Sequence, residues 1–522
     1  MRNCTFLTRR PVALPLLFGA LLLSEPGGSA FPTGQKPSNS PVIRVTSRLV
    51  EVGVVVSNKS GPVTDLTKDD FRLFDRGKLQ KIAVFQKNST LRTEQASAPA
   101  SPDVFSNRSV ARPDSPPGVT IFLLDALNTH FPDQIQAKKE FLKLLGQIQP
   151  DDRMGVYMLG EELRVLQDFT SDSRLLVEAV RNAPTEITHD MAILNDPSAL
   201  PIVKDMANID RAKNTATALE AIANHLSHVP GRKNLIWISA SFPFVLNPDY
   251  TPPPVSTRPT WYRLMGNFSM DVNRATRALN NANIAVYPVD ARGLLVAPSH
   301  GANVSHRPSS EGFDTMGVFA DATGGVAYHD TNDIRKAIAT ALEDSEVSYT
   351  LGFYPDSGQL DSAFHPLKVQ VKRPGVEARY RKGYIAAPEG KPTDAGWAGQ
   401  MAEALMSPLE ASGIALSARL DRAHNRFAVS IAGGDIALDP EGDHWTGALD
   451  VMFAQQAADG HNLETSEKRV SITSKPPEYQ ALVKQGLSVT LPLSAPGAAR
   501  VRVVVLDRNT GRLGSLTIPL AN

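Results

Sequence analysis

Between residues 118 and 353 the chain alternates short apolar runs with amphipathic stretches of ten or more residues, and few folds accommodate that rhythm. The clearest run, Val119-Thr-Ile-Phe-Leu-Leu-Asp125, has no period of two, so both of its faces must meet apolar neighbours. A helical pattern follows, with Ile135, Phe141, Leu142, Leu144, Leu145 and Ile148 spaced among Lys and Glu. Further strands are predicted at 154–159, 163–166, 234–239, 284–290, 325–328 and 349–353. Helices are predicted between them at 172–182, 208–229, 268–282, 313–322 and 333–346. Strands separated by helices demand crossover connections. The expected fold class is therefore α/β: a doubly wound, mainly parallel sheet with helices on both faces, spanning 118–385.

The flanks read differently. Period-two apolarity at 42–46, 49–56, 70–75 and 81–85, punctuated by Asn58-Lys-Ser-Gly-Pro62, predicts an N-terminal β module over 42–87. Residues 88–117 are rich in Ser, Pro, Ala and Asn and read as a linker. The runs at 367–371 and 378–381 predict a hairpin that closes the central domain at 385. A second linker is expected at 386–411, with a helical stretch near 398–406. Short alternating strands over 412–522, such as Arg426-Phe-Ala-Val-Ser-Ile431, predict a C-terminal β-sandwich-like domain.

The first thirty residues carry a targeting pattern. Arg2, Arg9 and Arg10 precede an apolar stretch from Val12 to Leu23, and Gly28-Ser29-Ala30 offers a cleavage site before Phe31. The stretch is too short to span a bilayer, so residues 1–30 read as a signal peptide and 31–41 as a disordered lead-in. Cleavage would remove the single cysteine, Cys4, and with it any disulfide or thiolate metal site. The 54 basic residues match the 54 acidic ones, a balance that argues against electrostatic binding of nucleic acid or an anionic membrane by the chain as a whole.

No nucleophile elbow and no His-Glu-x-x-His occurs, so hydrolase signatures are absent. Asp321-Ala-Thr-Gly-Gly325 lacks the Lys and spacing of a phosphate loop and reads as a helix-to-strand turn. His225 and His228 read as surface residues, Asp290 and Arg292 as a structural ion pair. The Pro-rich segment 242–260 reads as an exposed rim loop suited to partner contact.

Ile121-Phe-Leu-Leu-Asp-Ala-Leu-Asn-Thr129 resembles the first strand and metal loop of von Willebrand factor A domains, whose pattern is Asp-x-Ser-x-Ser. Gly231-Arg-Lys-Asn-Leu-Ile-Trp-Ile-Ser239, Asn283-Ile-Ala-Val-Tyr-Pro-Val-Asp-Ala-Arg-Gly293, Ala322-Thr-Gly-Gly325 and Tyr349-Thr-Leu-Gly-Phe-Tyr354 resemble the exported "VWFA-related" acidobacterial family, as does Ala341-Leu-Glu-Asp-Ser345. The resemblance covers roughly residues 42–385. It implies a von Willebrand factor A-like sheet whose carboxyl edge could hold a divalent cation, Mg²⁺ or Mn²⁺, and through it a protein partner.

The chain departs from that pattern. Asp125 keeps the first position, Leu127 replaces the first Ser, and Thr129 stands for the second. Thr215 or Thr217 could supply the later Thr, with Lys213 close to it by spacing. The final Asp is replaced by Ser239-Ala-Ser-Phe242. The candidate ligands are thus Asp125, Thr129 and Thr215, in a site expected to be degenerate. In that case Asp125 would be hydrogen-bonded and paired with Lys213. No catalytic residue and no organic cofactor is identified. The expected function is that of an exported protein that binds a protein or peptide partner. The alternatives are a structural component of the cell envelope and an enzyme with an unrecognised hydrolytic site. Amino-terminal sequencing of the exported protein should begin near Phe31; an intact Met1 would contradict the targeting reading.

Overall fold

The computed structural model describes residues 49–89, 104–108, 119–145, 153–229, 232–243, 260–294, 311–328, 364–386, 394–421 and 424–520, together with most of 336–355. The signal peptide, the lead-in and the first expected strand at 42–46 lie outside the described residues.

Five strands form the central sheet: β1 (Val119–Asp125), β2 (Arg153–Leu159), β3 (Leu163–Thr170), β4 (Lys233–Ser239) and β5 (Ile284–Asp290). Their spatial order is β5-β4-β1-β2-β3, so the first strand lies in the middle. All neighbours are parallel except β3, which runs antiparallel to β2 along one edge. The helices are α1 (Phe131–Leu145), α2 (Ser173–Asn182), α3 (His189–Asn195), α4 (Pro201–Leu226), α5 (Thr260–Asn281) and α6 (Glu311–Thr323).

The apolar run of β1 is explained by its two covered faces. Ile121 and Leu123 pack with Leu219 and Ile222 of α4, Leu279 of α5 and Phe319 of α6. Phe122 points the other way, into a second core with Phe141 of α1 and Leu176 and Val180 of α2. Each fully buried side chain of this kind contributes about 1.5–3 kcal/mol. The expected strand at 325–328 is reduced to one parallel bridge, Val289 to Tyr328. The turn before it needs its glycines. Gly324 has φ +78°, and a Cβ on Gly325 would lie 1.9 Å from the Val286 carbonyl oxygen.

The strand Val347–Phe353 corrects the expected architecture. It was assigned above to the parallel sheet, yet it pairs antiparallel with both Val50–Asn58 and Val84–Ser89. Glu377–Tyr380 adds to the far side of Val50–Asn58, while Phe364–Val371 pairs with Phe71–Asp75 in a second sheet. The hairpin expected from 367–381 therefore does not form; its halves join different sheets. The module expected from 42–87 alone is built from both ends of the 50–385 segment. One shared core holds it together, with Val52, Val54 and Leu73 against Tyr349, Leu351 and Val369. The physical reason for the misreading is that Val347–Phe353 is buried at every position, which produces the same continuous apolar run as a parallel strand.

Buried charges join this module to the central sheet. Arg232, just before β4, donates to the Tyr287 hydroxyl of β5 (3.1 Å) and to the Gly324 carbonyl (2.7 Å). Tyr287 donates to Asp344, which Arg379 of the β module also reaches. Asp344 and Arg232 are both buried, so each depends on the other donors and acceptors of this cluster.

The C-terminal region forms two facing sheets. Leu416–Asp421, Arg426–Ile431 and Leu487–Pro492 make one, and His444–Gln456, Asn462–Ser474, Arg500–Asp507 and Leu513–Pro519 make most of the other. Phe427, Val429, Val451, Phe453 and Val503 fill the space between. Two expected linkers are corrected here. Val104–Ser106, inside 88–117, pairs with Leu416–Asp421, and Asn107 donates to the Ala411 and Ile414 carbonyls. Within 386–411, Asp394–Met406 is a helix whose Trp397 and Met401 pack on Val504 and Leu506. His225, expected at the surface, instead meets the Glu410 carbonyl at 2.8 Å where α4 ends against this region.

The Tyr349 hydroxyl donates to the Val63 carbonyl (2.8 Å) and accepts from the Leu66 amide (3.2 Å). Tyr349→Phe should lower unfolding free energy by about 1–2 kcal/mol in urea titrations, because both buried groups lose a partner. An unchanged midpoint would argue against the pairing of residues 347–353 with the N-terminal strands.

Candidate functional site

Asp125 ends β1 at the carboxyl edge of the sheet and is only 2% exposed. Its carboxylate is met by donors from two elements. Asn128 gives its backbone amide to Oδ1 (2.9 Å) and its side-chain amide to Oδ2 (2.9 Å), closing the turn after β1. Trp237, on neighbouring β4, donates its indole N–H to Oδ2 (2.9 Å). Burial pushes the Asp125 carboxyl above the usual range, while Asn128, Ser239 and Trp237 hold it down.

The loop itself is fixed from several sides. The Ala126 and Leu127 amides both donate to the Leu159 carbonyl at the end of β2 (2.8 and 3.0 Å). The Thr129 hydroxyl accepts from the Ala240 amide at 3.0 Å. Gln134 of α1 donates to the carbonyls of Thr129 and Glu186, each at 2.8 Å, and ties the loop to the segment before α3. The Asn128 side chain also donates to Thr215 Oγ1 of α4 (2.8 Å), which in turn donates to the Arg211 carbonyl.

The structure thus brings all three expected residues, Asp125, Thr129 and Thr215, to one end of β1. Each oxygen is already engaged by an N–H donor, and Leu127 supplies no hydroxyl. Among the described residues no group of three or more His, Cys, Asp and Glu is placed to hold a metal ion. A divalent cation needs several free oxygen ligands in a flexible shell. The arrangement is that of a hydrogen-bonded carboxylate.

The expected partner Lys213 is corrected. It is exposed on α4, whereas Arg211, two residues earlier, is buried. Arg211 donates to the Leu127 carbonyl (3.0 Å) and to Asn208 (3.1 Å). Burial pulls its guanidinium down to about 10, and the charges of Asp125 and Asp190 oppose that fall. The helical phase explains the difference, because Arg211 and Thr215 lie four residues apart on one face and Lys213 is turned away. Sequence reasoning missed Asn128, Trp237, Arg211 and Gln134. Only the Asp-x-x-Asn spacing of Asp125 and Asn128 was a usable signal, since an Asp side chain can accept from the amide three residues on, as at a helix cap.

Asp290 and Arg292 form their ion pair, with two contacts at 3.0 Å. Phe242, first residue of the expected rim loop, is buried against Trp237 and Phe319. Residues 244–259 of that loop lie outside the described residues.

No family model matches the chain, and no curated protein matches it. Several solved structures are similar to part of it. One is an aerotolerance-related membrane protein from Bacteroides fragilis, 13% identical, covering 44% of this chain and 98% of that one, with a TM-score of 0.25. Another is proximal thread matrix protein 1 from the mussel byssus, in a form with a zinc-occupied MIDAS motif. It is 9% identical over 44% of this chain and 46% of that one, with a TM-score of 0.23. A third is the vWF domain of the type V pili tip protein Mfa5 from Porphyromonas gingivalis, 14% identical over 30% and 50%, with a TM-score of 0.17. All three likenesses are low in identity and in TM-score.

Lys213→Met should change unfolding free energy by less than about 0.5 kcal/mol, as expected for an exposed side chain. Arg211→Met should cost about 2–4 kcal/mol, because it strands the Leu127 carbonyl and removes a cation that acts on Asp125. Urea unfolding of the two variants separates them, and a larger effect at Lys213 would restore the ion pair expected from sequence.

Proposed function

We propose that this is an exported protein with a von Willebrand factor A-like central domain, which binds a protein or peptide partner at the carboxyl edge of its sheet without a metal ion. One observation carries the reading: Asp125, Thr129 and Thr215 converge at that edge with their oxygens already occupied by Asn128, Trp237 and Ala240 donors. The strand order β5-β4-β1-β2-β3 supports the choice of edge, since open α/β sheets bind at the carboxyl ends of their strands. A loop held by side chains from β4, α1 and α4 is rigid, and a rigid surface loses less entropy when a partner docks. Export rests on the charged and apolar pattern of residues 1–30. Among the described residues no helix is long and apolar enough to cross a membrane.

Two measurements test this. Calorimetric titration of the mature protein with Mg²⁺ or Mn²⁺ should give no saturable heat, and a chelator should shift its Tm by less than about two degrees. Tight cation binding that Asp125→Ala abolishes would overturn the metal-free reading. A photo-crosslinking residue at exposed His130, just beyond β1, should capture a protein in the cell envelope of the producing organism. The same residue at exposed Lys143, near the opposite end of α1, should not. Equal capture at both positions, or none at His130, would overturn the choice of edge.

A further inference from the structure

Helix α4 continues well past the sheet. Arg211 meets the Leu127 carbonyl at the end of β1. At 1.5 Å per residue, the ten residues before Arg211 extend the helix roughly 15 Å farther along its axis. These first turns carry large apolar side chains in solvent: Leu200 is 65% exposed, Ile202 44%, Val203 38% and Met206 55%. Farther along the same helix Ala212, Leu219 and Ile222 are fully buried. Single exposed hydrophobes are ordinary, but four within seven residues on a projecting helix end form a patch.

The surroundings of that patch are acidic. Asp205 and Asp210 lie on α4 itself, Asp190 on α3, and Glu161 in the turn between β2 and β3. Glu161 accepts from the His189 amide at 2.9 Å, which brings that turn against the start of α3. Asp190 lies within electrostatic range of both Asp210 and Glu161. Burial first, and then those two charges, push its carboxyl above the usual range, while Arg211 and His189 oppose them. Over the β2–β3 turn, α3 and α4 as far as Lys213 there are five acids, Glu162 being the fifth, against three bases, Lys204, Arg211 and Lys213, of which Arg211 is buried.

We propose that the projecting end of α4 is a docking surface for a basic amphipathic segment of another protein, whose apolar side chains pack on Ile202, Val203 and Met206 and whose Lys or Arg residues face Asp190 and Asp210. This rests on the reading that the carboxyl edge is the binding face, and it names the partner's chemistry. The sign of the charge decides against two other occupants. An anionic lipid surface would be repelled by the acids around the patch. A partner presenting carboxylates would meet an excess of like charge here. Apolar anchors supply the affinity and the acids supply steering that weakens with salt.

The test uses the full mature chain and two synthetic peptides of about 16 residues, with one helical apolar stripe of Leu and either Lys or Glu elsewhere. Fluorescence anisotropy should show binding of the Lys peptide and none of the Glu peptide. The Ile202→Ser, Met206→Ser double variant should weaken binding about tenfold, and its unchanged Tm would show that the fold is intact. Asp190→Asn with Asp210→Asn should weaken it by a smaller factor and flatten its salt dependence. Equal binding of the two peptides, or full binding by the serine double variant, overturns the proposal. These outcomes are separable from the broader reading. Capture from His130 that persists in the serine double variant leaves the edge as the binding face and removes α4 from it. Lys-peptide binding without capture from His130 does the reverse.

Discussion

Everything at the carboxyl edge follows from the burial of one strand that ends in a charge. β1 lies between β4 and β2, and helices cover both of its faces. Its last residue, Asp125, is therefore held where water cannot solvate a carboxylate. A cation or a set of donors must meet it. Here the donors come from the turn that follows and from Trp237 on the adjacent strand, with Arg211 on α4 within electrostatic range. These donors also set the path of the loop, since Asn128 cannot reach both Asp125 and Thr215 unless the turn closes tightly.

The same requirement, that buried polar groups find partners, organises the other end of the sheet. Arg232 and Asp344 lie deep between the central sheet and the discontinuous β module, and Tyr287 and Arg379 complete their contacts. The fit there is close. A Cβ on Gly53, in the strand Val50–Asn58, would come within 2.6 Å of the Asn283 side chain just before β5. The first and last strands of the 50–385 segment therefore form one body, which packs at the amino edge of the sheet.

Indole and amide donors meet the Asp125 carboxylate at the carboxyl edge. A bound divalent cation would present positive charge to a partner's carboxylate. Asp190 lies within electrostatic range of Asp210 and Glu161, and of Arg211 and His189. The proposed recognition is by apolar contact on the helix beside the loop, with the acids selecting for basic partners. Leu127, where the resembled pattern has a serine, is buried in the core with Leu219 and Ile222 of α4.

The sequence by itself determined the elements whose environment is uniform along their length. β1, β2, β4 and β5 were legible because a strand covered on both faces is apolar throughout, and the helices between them because one stripe alone is apolar. It also placed Asp125 and Thr129 at one end of the sheet, because a strand end is a local property, whereas Thr215, offered with Thr217 by the family resemblance, lies fifteen residues into α4. Tertiary structure alone decided which strands pair. Val347–Phe353 carries the pattern of a parallel strand, but the energy that places it comes from contacts with Val52, Val54 and Phe85, nearly three hundred residues away. Tertiary structure likewise chose Arg211 over Lys213 and recruited Trp237. A two-residue offset on a helix turns a side chain by about 200°, and a hydrogen bond across strands leaves no trace in the spacing of either one.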